Sequence, residues 1–287
     1  KEDEYKNNKK IKPTDVTFIK DWISKQPHLP ALNDNQIIMF IRACEYSLER
    51  TKETIDLNYT TRTKLPEFFS ERDIERNTIK IAMEYLQVAV IPKRIEDNIV
   101  VVAAIKPIDI AKLFVEEYIK LAIMIHDMTH LEYGSAEGYI YLLDLKNVTF
   151  NLVLHLPIPV VVNALKFWQY CATYRIKGIH IINGGHVFEK AFPIFQPFLK
   201  AEIVNMIKVH SNYESLRDAV NPKSLPNDYG GSCKSIEELS REAQKKTAAL
   251  KKWFADEEKQ RVEEKKRLSS APKDYGIQGS FRKLDID

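Results

Sequence analysis

Between Val88 and Asn183 short β-branched runs alternate with longer apolar helical stretches, and this rhythm restricts the fold more than any other feature of the chain. Val88 to Ile91 and Asn98 to Ile105 read as strands separated by a turn, and Ile110 to Thr129 as a long helix. Tyr139 to Leu145 is a buried strand, Val160 to Tyr174 an apolar helix, and Gly178 to Asn183 a further strand. Strand, helix, strand, helix, strand is the order of an α/β fold with a mostly parallel sheet covered by helices.

Upstream the pattern is helical throughout. Val16, Ile19, Trp22 and Ile23 recur at helical spacing between Asp15 and Ser24, until Pro27, Pro30 and Asn33 interrupt it. Asp34 is placed to cap a second helix carrying an Ile37, Ile38, Phe40, Ile41, Cys44 stripe. A third amphipathic helix spans Leu48 to Arg62, and Pro66 with the Phe68–Phe69 pair closes the unit. After Gly231, Ile236 to Arg267 reads as one charged helix with Ile236, Leu239, Ala243, Leu250 and Phe254 on its apolar side. Its interleaved Glu and Lys residues suit a solvated face; contact with membrane phosphates or a partner protein is the alternative. The expected divisions are an N-terminal helical domain over 13–75, a larger α/β domain over 76–235, and a charged C-terminal helix and tail over 236–287.

Composition narrows the function. The 287 residues are 44% hydrophobic and 29% charged, as in an ordinary water-soluble globular protein. The most apolar stretch, Leu152 to Trp168, is interrupted by His155, Pro157, Pro159 and Asn163, so no membrane span is expected. Lys1, Glu2, Asp3 and Glu4 are the reverse of an apolar leader, which favours a cytoplasmic location. Cys44, Cys171 and Cys233 match neither a disulfide framework nor a zinc spacing. A net charge of +3 does not suit a nucleic-acid partner.

Chemistry-bearing motifs are few. His126-Asp127-Met128-Thr129-His130 puts two histidines four apart on a helix, a spacing that can hold a divalent metal. A catalytic acid and a third ligand are missing, so a surface histidine pair is the preferred reading. No GxSxG nucleophile or glycosidase carboxylate pair stands out, and Asp144, at a strand end, reads as a cap or turn residue. No catalytic residue, metal or cofactor is expected.

Three stretches resemble one family in order and spacing. Ile41-Arg42-Ala43-Cys44-Glu45-Tyr46-Ser47-Leu48-Glu49-Arg50 is similar to the N-terminal segment of the CRAL-TRIO family. Lys177-Gly178-Ile179-His180-Ile181-Ile182-Asn183 resembles its Gly-Ile-His-x-Ile-Asn strand. Pro197-Phe198-Leu199, Val209-His210 and Leu225-Pro226-Asn227-Asp228-Tyr229-Gly230-Gly231 resemble its closing motif, with Asp228 where Glu is usual. The family's Gly shortly after the strand that ends near Asp144 is Asn147 here. The final Gly279-Ser280-Phe281-Arg282-Lys283-Leu284 lies outside the resemblance.

The resemblance implies a lipid cavity between the sheet floor and a mobile helical gate. Its lining would be Tyr139, Tyr141, Leu143, Leu156, Ala164, Phe167, Trp168, Ala172, Tyr174, Ile179, Ile181, Ala191 and Ile194, with Asn183 on the same strand face as Ile179 and Ile181. Packed core without a cavity is the alternative for these residues. The segment His186 to Lys208 corresponds to the gate, hinged at Gly184 and Gly185 and carrying Phe188, Phe192, Phe195 and Phe198. Tyr139 and Tyr141, with Tyr174 or His155, are placed to meet a ligand hydroxyl or carbonyl, unless their hydroxyls pair with backbone. His180 and His210 match fold-holding motif positions. At the positions that in relatives form a basic cleft for a phosphoinositide head group stand Cys44, Arg175, Glu202 and Met206; Arg175, with Lys177 and Lys208 near it, carries the remaining charge. The implied protein is a monomeric carrier of a hydrophobic lipid (tocopherol, retinoid, carotenoid or similar), transiently peripheral on membranes. A lipid-sensing regulator that switches a partner surface is the second reading, and a metal-dependent hydrolase the third.

Overall fold

Pro13 presets the first turn of a helix, Asn33 closes a capping box with Gln36 on the next, and Ser47 caps a third. Asn33, not Asp34, is therefore the cap of the second helix. In the computed structural model, which describes residues 2–268, 270–272 and 275, these elements follow a short α1 (Glu2–Asn7) as α2 (Pro13–Ser24), α3 (Asp34–Ala43) and α4 (Leu48–Lys64). The run Gly279–Leu284 lies outside the described residues. Helices α5 (Pro66–Phe69) and α6 (Asn77–Tyr85) lead into the sheet. Ile19, Ile37, Ile38, Ile41 and Ile55 are wholly buried at the centre of the N-terminal unit.

Five strands follow in spatial order: β1 (Leu86–Val90), β2 (Asn98–Ile105), β3 (Gly138–Asp144), β4 (Ile176–Ile182) and β5 (Ile207–His210). Strand β1 is antiparallel to β2 and every later pairing is parallel. Helix α7 (Val115–Tyr133) joins β2 to β3. Helices α8 (Phe150–Leu154) and α9 (Ile158–Lys166), with a π-helical turn Phe167–Cys171, join β3 to β4. Helix α10 (Gly185–Phe195), a 3-10 turn Gln196–Phe198 and α11 (Ala201–Met206) join β4 to β5. The His186–Lys208 segment is thus not one helix. Pro193 and Pro197 remove backbone donors, and the last residues add an edge strand.

Register sorts the side chains by face. Val101, Tyr141, Ile179 and Ile207 form one cross-strand row, and Ala103, Leu143, Ile181 and Val209 the next row on the same face. On the other face Val100, Val102, Leu142 and Ile182 pack with Leu216 of α12 (Tyr213–Ala219), Leu225 and Tyr229. The Gly-Gly of the closing motif has a steric cause. A Cβ on Gly231 would stand 2.0 Å from the Leu225 carbonyl oxygen, and Gly230 has φ +73°.

The C-terminal segment is two helices, α13 (Ile236–Ala248) and α14 (Lys251–Glu257). The break at Ala249–Leu250 turns Phe254 and Glu257 inward, so this segment is not simply solvated. Ile236 and Leu239 enter the core under the sheet, Ala243 and Phe254 the core above it, and Val262 the core of the N-terminal unit. Arg267 fastens its end, donating to Asp56 at 2.7 and 2.9 Å and to Thr60 at 2.8 Å. Among the described residues no helix is long and apolar enough to cross a membrane.

Candidate functional site

The sheet face bearing Tyr139, Tyr141 and Leu143 meets α7 through the Tyr139 and Tyr141 rings, while α10 packs on α8 and on the 3-10 turn that follows it. Phe167, Ala164 and Ala172 are buried; Leu143, Leu156, Trp168, Ile179, Ala191 and Ile194 are partly buried, and Ile181 is buried beneath them. Asn183 is not on this face. It lies past the end of β4 in left-handed backbone, φ 56°, and donates to Asp144 at 2.9 Å. Asp144 also accepts from the Lys146 amide and the Tyr229 hydroxyl, both at 2.9 Å, and Asn147 donates to the Ile105 carbonyl at 2.9 Å. Asp144 and Asn147 are therefore turn residues.

Helix α10 begins at Gly184 and Gly185. Gly185 has φ +37°, with no heavy atom within 4 Å of where a Cβ would stand. Phe188 and Phe192 stack with ring centroids 5.0 Å apart. Apolar as this helix is, none of its residues is buried: Phe188, Ala191, Phe192, Ile194 and Phe195 all keep accessible surface. Phe198 lies on the 3-10 turn beyond and is 37% exposed.

Five rings gather where α7 meets β3. His126 stacks on Tyr174 at 5.0 Å, Tyr139 lies 4.7 Å from Tyr174, and His130 meets Tyr139 edge-on at 5.7 Å. The His126 Nδ1–H donates to the Ala122 carbonyl at 2.8 Å, which leaves Nε2 as the acceptor for the Tyr141 hydroxyl at 2.7 Å. The His130 Nδ1 faces the Thr173 hydroxyl at 3.3 Å. Burial holds His126 below the ordinary imidazole range and pushes His130 down to about 3. The same burial raises Tyr139, Tyr141 and Tyr174. The cluster is polar and uncharged. These histidines are an interior pair, not the surface pair that their spacing suggested, because α7 is buried on most of its circumference. His155 is exposed at the end of α8, bonded to the Asn151 carbonyl at 2.8 Å, and takes no part.

Behind the rings lies a charge network drawn from distant parts of the chain. Arg62 donates to Glu257 at 2.8 Å and to Asp127 at 3.4 Å; Arg72 donates to Asp127 at 2.5 Å and also pairs with Glu257. Burial alone would raise the Asp127 carboxyl, but the Arg62 and Arg72 guanidiniums outweigh it and hold it low. Among the described residues no group of three or more His, Cys, Asp or Glu is placed to hold a metal.

A separate groove of about 430 Å³ runs between the N-terminal unit, the start of β4 and α11. Cys44, Arg175, Lys177, Glu202 and Met206 all line it, together with Glu45, Arg50 and Lys200. Its cations are already engaged. Arg175 pairs with Glu45 and Glu137, Arg50 with Glu45 at 3.3 Å, Lys177 with Glu137 at 3.7 Å, and Lys200 donates to the Gln169 carbonyl at 2.8 Å. Lys208 stands exposed on β5, outside this groove's lining.

Comparison with known proteins matches residues 89–231 to the CRAL/TRIO domain and residues 8–79 to a Pinta-like UBA domain. The chain belongs to the CRAL-TRIO family. An alpha-tocopherol transfer protein-like protein of Mus musculus is 25% identical over 232 residues, 79% of this chain and 67% of its own. Its Homo sapiens counterpart is 24% identical over 229 residues, 78% and 66% of the two chains, so this chain spans about two thirds of such relatives. Clavesin-2 of Rattus norvegicus is 28% identical over 95 residues, 33% of this chain and 29% of its own. A solved structure of Sfh5 aligns with 93% of this chain and 96% of its own, at 12% identity and TM-score 0.47.

Within this CRAL-TRIO chain, sequence reasoning placed strands β2, β3 and β4 but missed the interior roles of His126 and His130 and the Arg62–Asp127–Arg72–Glu257 network. An available signal was the apolar run around the histidines, Leu121-Ala122-Ile123-Met124-Ile125, which leaves a helix little solvated surface for them.

Proposed function

We propose that this chain extracts, shields and delivers one small hydrophobic lipid, held between the β3–β4 floor and α10. The observation that carries the reading is α10 itself: an apolar helix without a buried residue, near a sheet face on which Leu143 and Ile179 also keep accessible surface. Apolar surface left in that state gains from an occupant. Covering roughly 500 Å² of ligand contributes on the order of 12 kcal/mol before ordering costs. Of the expected lining, Leu143, Leu156, Ile179, Ala191 and Ile194 keep the accessible surface that an occupant would cover, whereas Tyr139, Ala164, Phe167 and Ile181 are buried in packed core. The CRAL/TRIO match and relatives named for tocopherol transfer support the same reading. Carriage requires no bond chemistry.

Release is gated at Gly185, whose positive φ and unobstructed surroundings let α10 swing away from the sheet, while Gly184 before it is packed closely against Ile181 and Leu145. Opening turns Phe188, Phe192 and Phe195 outward beside Phe198, an apolar patch suited to a bilayer surface. Docking rests on these rings more than on a polyphosphorylated head group, because Arg175 and Lys177 are spent on Glu45 and Glu137. The test is movement of labelled lipids from donor to acceptor vesicles. The protein should accelerate transfer of a neutral hydrophobic lipid in proportion to its concentration; no acceleration for any lipid class refutes the proposal.

A further inference from the structure

A helix that buries no residue is held only weakly by its own packing, so the closed position of α10 depends on its two ends. At the near end the chain turns on Gly185, just past Asn183, which donates to Asp144 at 2.9 Å. The far end runs through the 3-10 turn into Leu199, whose backbone is extended, φ −100° and ψ 141°. Here one side chain makes the connection. The Gln169 amide, on the π turn, donates to the Phe198 carbonyl at 3.0 Å and accepts from the Lys200 N–H at 2.7 Å. It grips the chain on both sides of Leu199, with one donor and one acceptor, as a neighbouring strand would. Its Nε2 also donates to the Leu165 carbonyl at 3.0 Å, which fixes the amide against α9. The Lys200 ammonium reinforces the joint, donating to the Gln169 carbonyl at 2.8 Å and standing 3.8 Å from the centre of the Tyr170 ring.

We infer that Gln169 is the latch of the gate: α10 swings about Gly185 only when the Gln169 amide lets go of Phe198 and Lys200. The inference rests on the carrier reading and names the positioning residue that sets its release step. Gln169 is not a cargo contact. It lines the groove beside the N-terminal unit, whose walls include neither Leu143 nor Ile179 of the sheet floor. The two bonds to the gate are exposed or only part-buried, so water replaces them when the joint parts and no polar group is left dry. Each bond of this kind biases an equilibrium by about two- to tenfold, so the pair holds the open state down by about five- to a hundredfold.

Gln169→Leu keeps the bulk of the side chain and removes both bonds. A detached helix of 11 residues is marginal in water, so hydrogen–deuterium exchange reads the opening without any cargo. In the variant, exchange should be about five- to a hundredfold faster through α10, from Val187 to Phe195, with β2, β3 and β4 protected as in wild type. For release, protein loaded from vesicles of a tritium-labelled total lipid extract is mixed with unlabelled phosphatidylcholine vesicles, and bound label is followed with time. Gln169→Leu should lose label faster by the same factor, with the amount bound at the end of loading unchanged. If leucine does not fold there, Gln169→Asn, one methylene too short to reach both groups, is measured with the same expected results. Exchange that is unchanged, or faster at Lys200 alone, overturns the inference, and so does release at the wild-type rate. A fall in the amount loaded makes Gln169 a cargo contact and also overturns it. Wild-type protein that takes up no label removes the carrier reading, and the exchange measurement still decides whether Gln169 holds α10.

Discussion

Asp127→Asn keeps the shape of the side chain and removes its charge from the network behind the ring cluster. The side chains of Arg62, Arg72, Asp127 and Glu257 are 9%, 0%, 11% and 5% exposed, so the two guanidiniums would be left to share Glu257 almost out of reach of water. Breaking a buried pair from one side costs about 3–5 kcal/mol, mostly through the uncompensated charge that remains. For a chain of this size each kcal/mol moves the melting temperature by about 2–4 °C, so the expected fall is roughly 6–20 °C. Glu257→Gln should cost about as much, although Glu257 lies in the charged C-terminal segment, and the double variant should fall well short of the sum because the arginines are shared. Lys259→Ala, at an exposed pair with Asp256, should leave the melting curve where it is. Thermal and urea unfolding measure all four variants. Changes below about 1 kcal/mol for Asp127→Asn and Glu257→Gln would refute the claim that this network fastens the N-terminal unit and the C-terminal segment to α7.

Three further outcomes follow from the same geometry. Ala191→Trp, on the partly buried face of α10, should fill the cargo space and abolish lipid uptake with folding intact; uptake unchanged would move the pocket elsewhere. Ala164→Trp is the poorer probe, since Ala164 is packed among Phe68, Phe69 and Phe167 and overpacking there costs about 1–3 kcal/mol by itself. Phosphatidylinositol bisphosphate in acceptor vesicles should accelerate release little, and Arg175→Ala should leave it unchanged; strong acceleration lost in Arg175→Ala would contradict the engaged groove. Burial lowers His126, His130, His180 and His210 below the imidazole value of 6.5, so the unfolded chain takes up protons that the folded chain refuses. Their stabilisation is complete above pH 6.5 and drains as pH falls toward the lowered values, and His130 and His180, held down to about 3 and about 4, contribute about 1.4 kcal/mol per unit each over that fall. Urea melts between pH 7.5 and 4.5 should show that slope, and a flat profile would contradict it.

The sheet was legible because its strands are short β-branched runs between helices long enough to cross it; β2 occupies Asn98–Ile105 as its pattern indicates. Strand β5 was not, since Ile207-Lys208-Val209-His210 is too short for alternation to register and pairs only along one edge. The histidines of α7 were misplaced because their spacing says which side they share and not whether that side meets water. Their surroundings come from β3 and from the link between α9 and β4. The charge network was out of reach for a related reason: Arg62, Arg72, Asp127 and Glu257 are adjacent only after the chain has closed on itself. Resemblance supplied an expectation that periodicity does not, namely which apolar residues line a cargo space and which pack on each other.

The most direct measurement is of the cargo. Protein incubated with vesicles of a total lipid extract, re-isolated and extracted with organic solvent should yield about one lipid molecule per chain by mass spectrometry. That lipid should be enriched far beyond its share of the vesicles, and Ala191→Trp should carry none. Protein recovered free of lipid, or with lipids in the proportions of the vesicles, would contradict the account.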